Sequence, residues 1–221
     1  MKKNLCIAAA CVFALSPLFL SAQQGGVDVG MPGNLSEAGL KKLVDNPAVL
    51  SSKVEELPDD ANKKSWFRLF CDTQTATAVP IGSIYAALND FGSYAKNFSG
   101  VKSVKIIRTN AEGSVVEASA GRFGVNSRYV YLQTEPVKAD DEHLVVRISI
   151  DTEGDGTMKN MDTRYYLKAV TIDGKPYTYL RCYDITDYMS QMWGQYTIMK
   201  SKNEGSHKDG LTDLINAAVK R

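Results

Sequence analysis

Residues 76–108, ATAVPIGSIYAALNDFGSYAKNFSGVKSVKIIR, decide the fold. Pro80 opens a helix, because its missing N–H would have no partner in a first turn. Ile84, Ala87 and Leu88 recur at i, i+3 and i+4 and make one apolar helical face. Asn89-Asp90 interrupts that helix. Phe91, Tyr94 and Phe98 then fall at i, i+3 and i+7, a second apolar stripe on a short helix that Ser99-Gly100 ends. From 101 to 107 the residues alternate as in a strand. The stretch therefore predicts a strand end, a helix pair and a new strand.

Strands are predicted at 66–77, 102–109, 114–120, 127–133, 143–151, 163–172 and 177–185. Asn110-Ala111-Glu112-Gly113 and Asp173-Gly174 are hairpin turns. Ser206 is placed to cap a final helix of about 15 residues, with Leu211, Leu214, Ile215 and Ala218 on one face. Upstream, Ser36 is placed to cap a short helix reaching Val44, and 48–57 is predicted as a second, weaker helix. The order is that of an α+β fold: a curved antiparallel sheet of about six to seven strands wrapped around a C-terminal helix, with two short helices after the first strand.

Strand parity supports this layout. Placing Arg68, Asp72, Glu117, Arg147, Arg164, Lys168 and Arg181 outward turns an almost wholly apolar set inward. That set includes Leu69, Cys71, Val116, Leu132, Ile148, Tyr165, Leu167, Leu180 and Cys182. Most of Tyr129, Tyr131, Tyr166, Tyr177, Tyr179 and Tyr183 then face outward, as cross-strand pairs or as a surface for a protein partner. Cys71 and Cys182 share the inner face of the first and last predicted strands. A disulfide between them and two buried free thiols both fit that placement.

Lys2-Lys3, the apolar run 5–20 and Ser21-Ala22 have the pattern of a cleavable signal peptide over 1–22. Export to a periplasm or out of the cell is therefore expected, with lipidation at Cys11 disfavoured by its early place in the apolar run. Residues 23–64 are expected to be an N-terminal extension with short helices, and 65–221 the main domain. No later run is long enough for a stable membrane span. With 26 basic and 25 acidic residues the chain offers no electrostatic footprint for nucleic acid.

The segment TATAVPIGSIYAALNDFGSYAKNFSGVKSVKII, the hairpins after it and VTIDGKPYTYLRCYDI resemble the START and polyketide-cyclase type helix-grip superfamily. The resemblance implies a seven-stranded antiparallel sheet gripping a long C-terminal helix, with an apolar cavity between them. It further implies a hydrophobic small molecule (a lipid, a quinone or similar) held without chemistry. Phe91, Tyr94, Phe98, Leu132, Ile148, Tyr165, Leu167, Leu180 and Leu214 are the expected lining, and equally the expected core. A cell-envelope interaction module with a filled cavity and a cyclase or aromatase type enzyme, the latter using Tyr165 or Asp184, are the alternatives.

The final helix departs from this pattern by its shortness. The intervening 188–205, with Met189, Met192, Trp193, Tyr196 and Met199, reads as a connector or as a lid over an apolar ligand. Candidate chemistry is sparse. His143 and His207 fall near element starts where exposure is expected, and no nucleophile-base order surrounds them. The run 151–156 with Asp162 has the acidic alternation and sixth-position glycine of a calcium loop. It lacks the twelfth-position Glu and sits between strands, so a polar turn accounts for it. No catalytic residue, metal or cofactor is assigned.

Overall fold

The computed structural model describes residues 30–33, 35–122, 125–140, 143–152 and 155–221, so the signal-type segment 1–22 lies outside it. Its elements are α1 (Glu37–Leu43), β1 (Ala48–Leu57), β2 (Trp66–Thr77), α2 (Ile81–Leu88) and a 3-10 turn (Phe91–Ser93) running into α3 (Tyr94–Asn97). There follow β3 (Val101–Asn110), β4 (Gly113–Arg122), β5 (Val125–Thr134), β6 (Val137–Asp140), β7 (His143–Thr152), β8 (Met158–Ile172), β9 (Lys175–Met189) and α4 (Gln195–Val219).

One antiparallel sheet runs β1-β2-β9-β8-β7-β5-β4-β3, with β6 paired onto β7. The described residues thus hold nine strands where six to seven were expected. The additions are β6 and β1. The helix expected over 48–57 is instead β1, with Leu57 opposite Trp66 and Val54 opposite Leu69. Helix propensity in its Lys and Glu residues is a weak prior. The open edge of β2 offers a full ladder of backbone hydrogen bonds, and that prevails.

Hairpin chemistry sets the registers. Asn110 Oδ1 accepts from the Glu112 and Gly113 N–H groups and turns β3 into β4. Gly113 has φ +144, and a Cβ there would stand 2.0 Å from the Gln133 carbonyl oxygen, so only glycine fits. Asp173 and Gly174, both at positive φ, close the β8–β9 hairpin.

The final helix is longer than its sequence pattern suggested. It has 25 residues, roughly 37 Å at 1.5 Å per residue, and Ser206 lies inside it rather than capping it. The connector over 188–205 therefore resolves into the end of β9, a short turn and the first part of α4. α4 and α2 cover the inner face, where Ile84, Leu88, Val146, Leu167, Leu180, Leu211 and Leu214 form the main core. On the outer face α1 lays Leu40 and Leu43 over Ala76, Tyr166, Ile172 and Tyr179.

That outer cover changes the expected tyrosine surface. Tyr166 and Tyr179 are buried beneath the chain's own N-terminal segment, while Tyr129 and Tyr131 face inward. Five of the seven charged residues placed outward by parity sit in ion pairs among the described residues. Arg181 makes a two-pronged contact with Asp72, Arg68 does so with Asp187, and Arg147 and Arg164 share Asp162.

Candidate functional site

Between α4 and the inner face of the sheet lies a cavity in two compartments of about 330 and 250 Å³. They share a wall made of Ser99, Val101, Tyr129, Met158, Asp184, Tyr188, Ser206 and His207. The aromatic stripe on α3 forms one side of the inner compartment, with Tyr94 and Phe98 ring centroids 4.7 Å apart. Ala118, Ile148, Met161 and Tyr165 close the other sides. The outer compartment is bounded by Gly121, Ser127, Gln195, Met199 and Lys202.

Of the residues expected to line a pocket, Tyr94, Phe98, Ile148 and Tyr165 do so. Leu167, Leu180 and Leu214 are fully buried in the main core, and Phe91 packs in a second cluster with Val116 and Tyr131. Leu132 is a correction: its neighbours Tyr131 and Tyr129 hold the alternation that faces the cavity, which sends Leu132 to the other face.

The polar centre of the cavity is a pair that periodicity did not reveal. His207, expected to be exposed, is mostly covered on α4, with its side chain 17% exposed. Its Nε2 lies 3.1 Å from Asp184 Oδ2 on β9, and its Nδ1 lies 2.8 Å from the Asn203 carbonyl one helical turn earlier. The Asn203 carbonyl can only accept, so Nδ1 carries hydrogen, and with Asp184 as a carboxylate Nε2 carries one too, which makes the ring an imidazolium. Desolvation lowers the affinity of His207 for its second proton, but the Asp184 hydrogen bond and the adjacent Cys71 sulfur outweigh it and push the pKa up to about 10. Thr163 donates its hydroxyl to the other carboxylate oxygen of Asp184. The side chain of His143 lies outside the described residues.

Asn203 is held by its amide hydrogens, which reach Phe70 O at 2.8 Å and Ser52 Oγ at 3.1 Å. That orientation leaves Oδ1 buried without a partner among the described residues. Around the pair, burial raises the Tyr129 hydroxyl to about 12 and raises Tyr165 and Tyr188 well above their ordinary value. All three stay neutral across the physiological range.

Cys71 and Cys182 are buried and unbonded. Cys71 sits opposite Asp184 and Cys182 opposite Thr73, so the two are diagonal neighbours. Diagonal Cβ atoms lie about 7 Å apart, too far for the roughly 4 Å that a disulfide needs. In the loop with calcium-like spacing, Asp155 accepts from the Arg128 and Thr157 N–H groups, and Asp162 is held by Arg147 and Arg164.

A curved antiparallel sheet closed by a long C-terminal helix over a cavity is the START-like helix-grip fold. One solved structure with a similar backbone agrees. A STAR-related lipid transfer protein from Xanthomonas axonopodis superposes with a TM-score of 0.53 at 10% identity, over 75% of this chain and 98% of that one. A START superfamily protein from Mycobacterium smegmatis (TM-score 0.49, 16% identity, 68% and 97% covered) is also similar. So is the Zhui aromatase/cyclase from Streptomyces sp. R1128 (0.46, 15%, 69% and 93%). The sequence matches no protein-family model and no curated protein. Among the described residues no helix is long and apolar enough to cross a membrane.

Proposed function

We propose that this chain is an exported START-like domain that holds a hydrophobic small molecule, a lipid, quinone or similar, without transforming it. Export rests on the signal-type pattern of residues 1–22. The observation that supports the ligand reading is the cavity itself, whose inner compartment is walled mainly by aromatic and aliphatic side chains around the Asp184–His207 pair, while its outer compartment carries polar side chains of α4. Pockets of this kind take their affinity from apolar burial and their orientation from a few polar groups. Burial contributes roughly 25 cal/mol per Å².

The protonation state of His207 argues against a general-base role for that residue. An imidazolium that holds its proton to a pKa of about 10 has no lone pair to act as a base at neutral pH. Both its N–H groups are already donated within the protein. Atoms that a ligand can use include the spare lone pairs of Asp184, the buried Oδ1 of Asn203 and the neutral hydroxyls of Tyr129 and Tyr188. These suit the hydroxyl or N–H of an amphiphile better than a carboxylate.

Solvent extraction of the purified protein followed by mass spectrometry tests the reading. A co-purifying apolar molecule is expected, and the stripped protein should then take up Nile red and release it to that molecule. A protein that yields nothing and leaves Nile red in water has a closed core, and the interaction-module alternative would replace this one.

A further inference from the structure

The turn between β9 and α4 carries the most exposed large apolar side chain among the described residues. Trp193 is 97% exposed, and Met192 beside it is 42% exposed. Its base is nevertheless clamped. Ser190 N–H donates to the Ser65 carbonyl at 2.8 Å, Gln191 N–H to Gln195 Oε1 at 2.6 Å, and Gln191 Nε2–H to the Asn126 carbonyl at 3.0 Å. Gly194, at φ 76, then swings the backbone into α4. The turn is thus a firm pedestal presenting two apolar side chains to solvent.

Its surroundings are basic. Lys63 and Lys64 are exposed and directly precede Ser65. The Lys102 ammonium reaches Asn126 Oδ1, on the residue that also anchors Gln191. Lys159 lies 3.8 Å over the Trp66 ring, on the neighbouring strand end, and exposed Lys202 borders the outer compartment of the cavity. The nearby carboxylates are partly engaged: Asp60 accepts from the Asn62 and Lys64 N–H groups and from the Trp66 indole, while Asp155 holds Arg128 and Thr157. Asp59 is exposed in the same loop.

We propose that this turn docks the protein on an anionic lipid bilayer, with Trp193 and Met192 entering the interfacial layer and the lysines facing the headgroups. Indole is suited to that layer, because its ring is apolar and its N–H remains in contact with polar groups. Lysines near an anionic surface add attraction that salt weakens. Gln195 and Met199, on the first turns of α4, line the outer compartment, so docking brings that end of the cavity to the bilayer. This last step, the exchange of a ligand with the membrane, rests on the ligand-binding reading. The docking does not.

The chain holds two tryptophans, and Trp66 is buried. Fluorescence of the purified protein titrated with vesicles of phosphatidylethanolamine and phosphatidylglycerol therefore reports on Trp193. A blue shift and quenching by bilayer-borne brominated lipid are expected, with much weaker binding to pure phosphatidylcholine and in high salt. Trp193→Ser should keep the far-ultraviolet circular dichroism and weaken vesicle binding about tenfold or more. Lys63→Glu with Lys64→Glu should weaken it while leaving Trp193 in place. No shift at saturating vesicles overturns the proposal, as does unchanged binding by Trp193→Ser. A blue shift that grows with protein concentration without lipid also overturns it, in favour of a second copy on the same turn. If extraction yields a ligand while vesicles leave Trp193 unmoved, the docking fails and the ligand reading stands.

Discussion

His207 is the residue on which the chemistry of the cavity turns, and its environment fixes the sign of a pH effect. In the unfolded chain a histidine titrates near 6.5, whereas in the fold His207 holds its proton to about 10. The folded state therefore binds more protons between those values, and stability falls as pH rises through that window. The contribution is fully present below about 6.5 and lost by about 10, on the order of a few kcal/mol. Urea denaturation of the wild type and His207→Leu at pH 6, 7.5 and 9 should show a decline that the variant lacks; parallel curves would refute the buried imidazolium. Asp184→Asn removes the counter-charge and leaves a buried cation, so a loss of about 3–5 kcal/mol is expected in the same measurement. Thr163→Val, which removes only the hydrogen bond to the other carboxylate oxygen, should cost less.

The elements around the cavity differ in how tightly they pack, and mutations should report it. Leu214 on α4 is fully buried against Leu167, Leu180 and Ile84, so Leu214→Ala should cost about 2–5 kcal/mol. Ile148 on β7 faces the inner compartment, and Ile148→Ala should cost less, because part of its surface already lacks neighbours. Equal losses in chemical denaturation would mean that the cavity is filled by protein. The strand register makes a separate prediction: a thiol reagent under denaturing, non-reducing conditions should find both Cys71 and Cys182 free. These elements were unequally legible. The α2–α3 stripe and the two hairpins were readable because their apolar spacing and turn residues act locally. β1 was not, since its strand state comes from pairing with β2. Nor was the first half of α4, because the positions it turns inward are Gln195, Asn203, Ser206 and His207. Facing a polar cavity end instead of a core, that stretch has no apolar stripe. The same substitution of polar for apolar hid His207 and Asp184, which meet only when α4 is laid across β9.

For the molecule as a whole, a cavity that is empty in the free protein couples ligand occupancy to stability. A ligand that binds only the folded state stabilises it by about 2.7 kcal/mol at a free concentration one hundred times Kd. In a chain of this size that corresponds to a rise in Tm of roughly 5–10 °C. Dodecanol, which has an apolar tail and a donor head, should raise the Tm of the stripped protein, and dodecanoate should raise it less. Ala118 provides the control. It is a small side chain on β4 that lines the inner compartment, and a larger one there occupies space the fold leaves open. Ala118→Phe should therefore fold without the cost of about 1–3 kcal/mol usual for overpacking a filled core. It should also lose the dodecanol-induced rise in Tm. A variant that keeps the full rise would place the ligand elsewhere on the molecule, whereas one that fails to fold would mean that α4 closes on the sheet more tightly than the cavity implies.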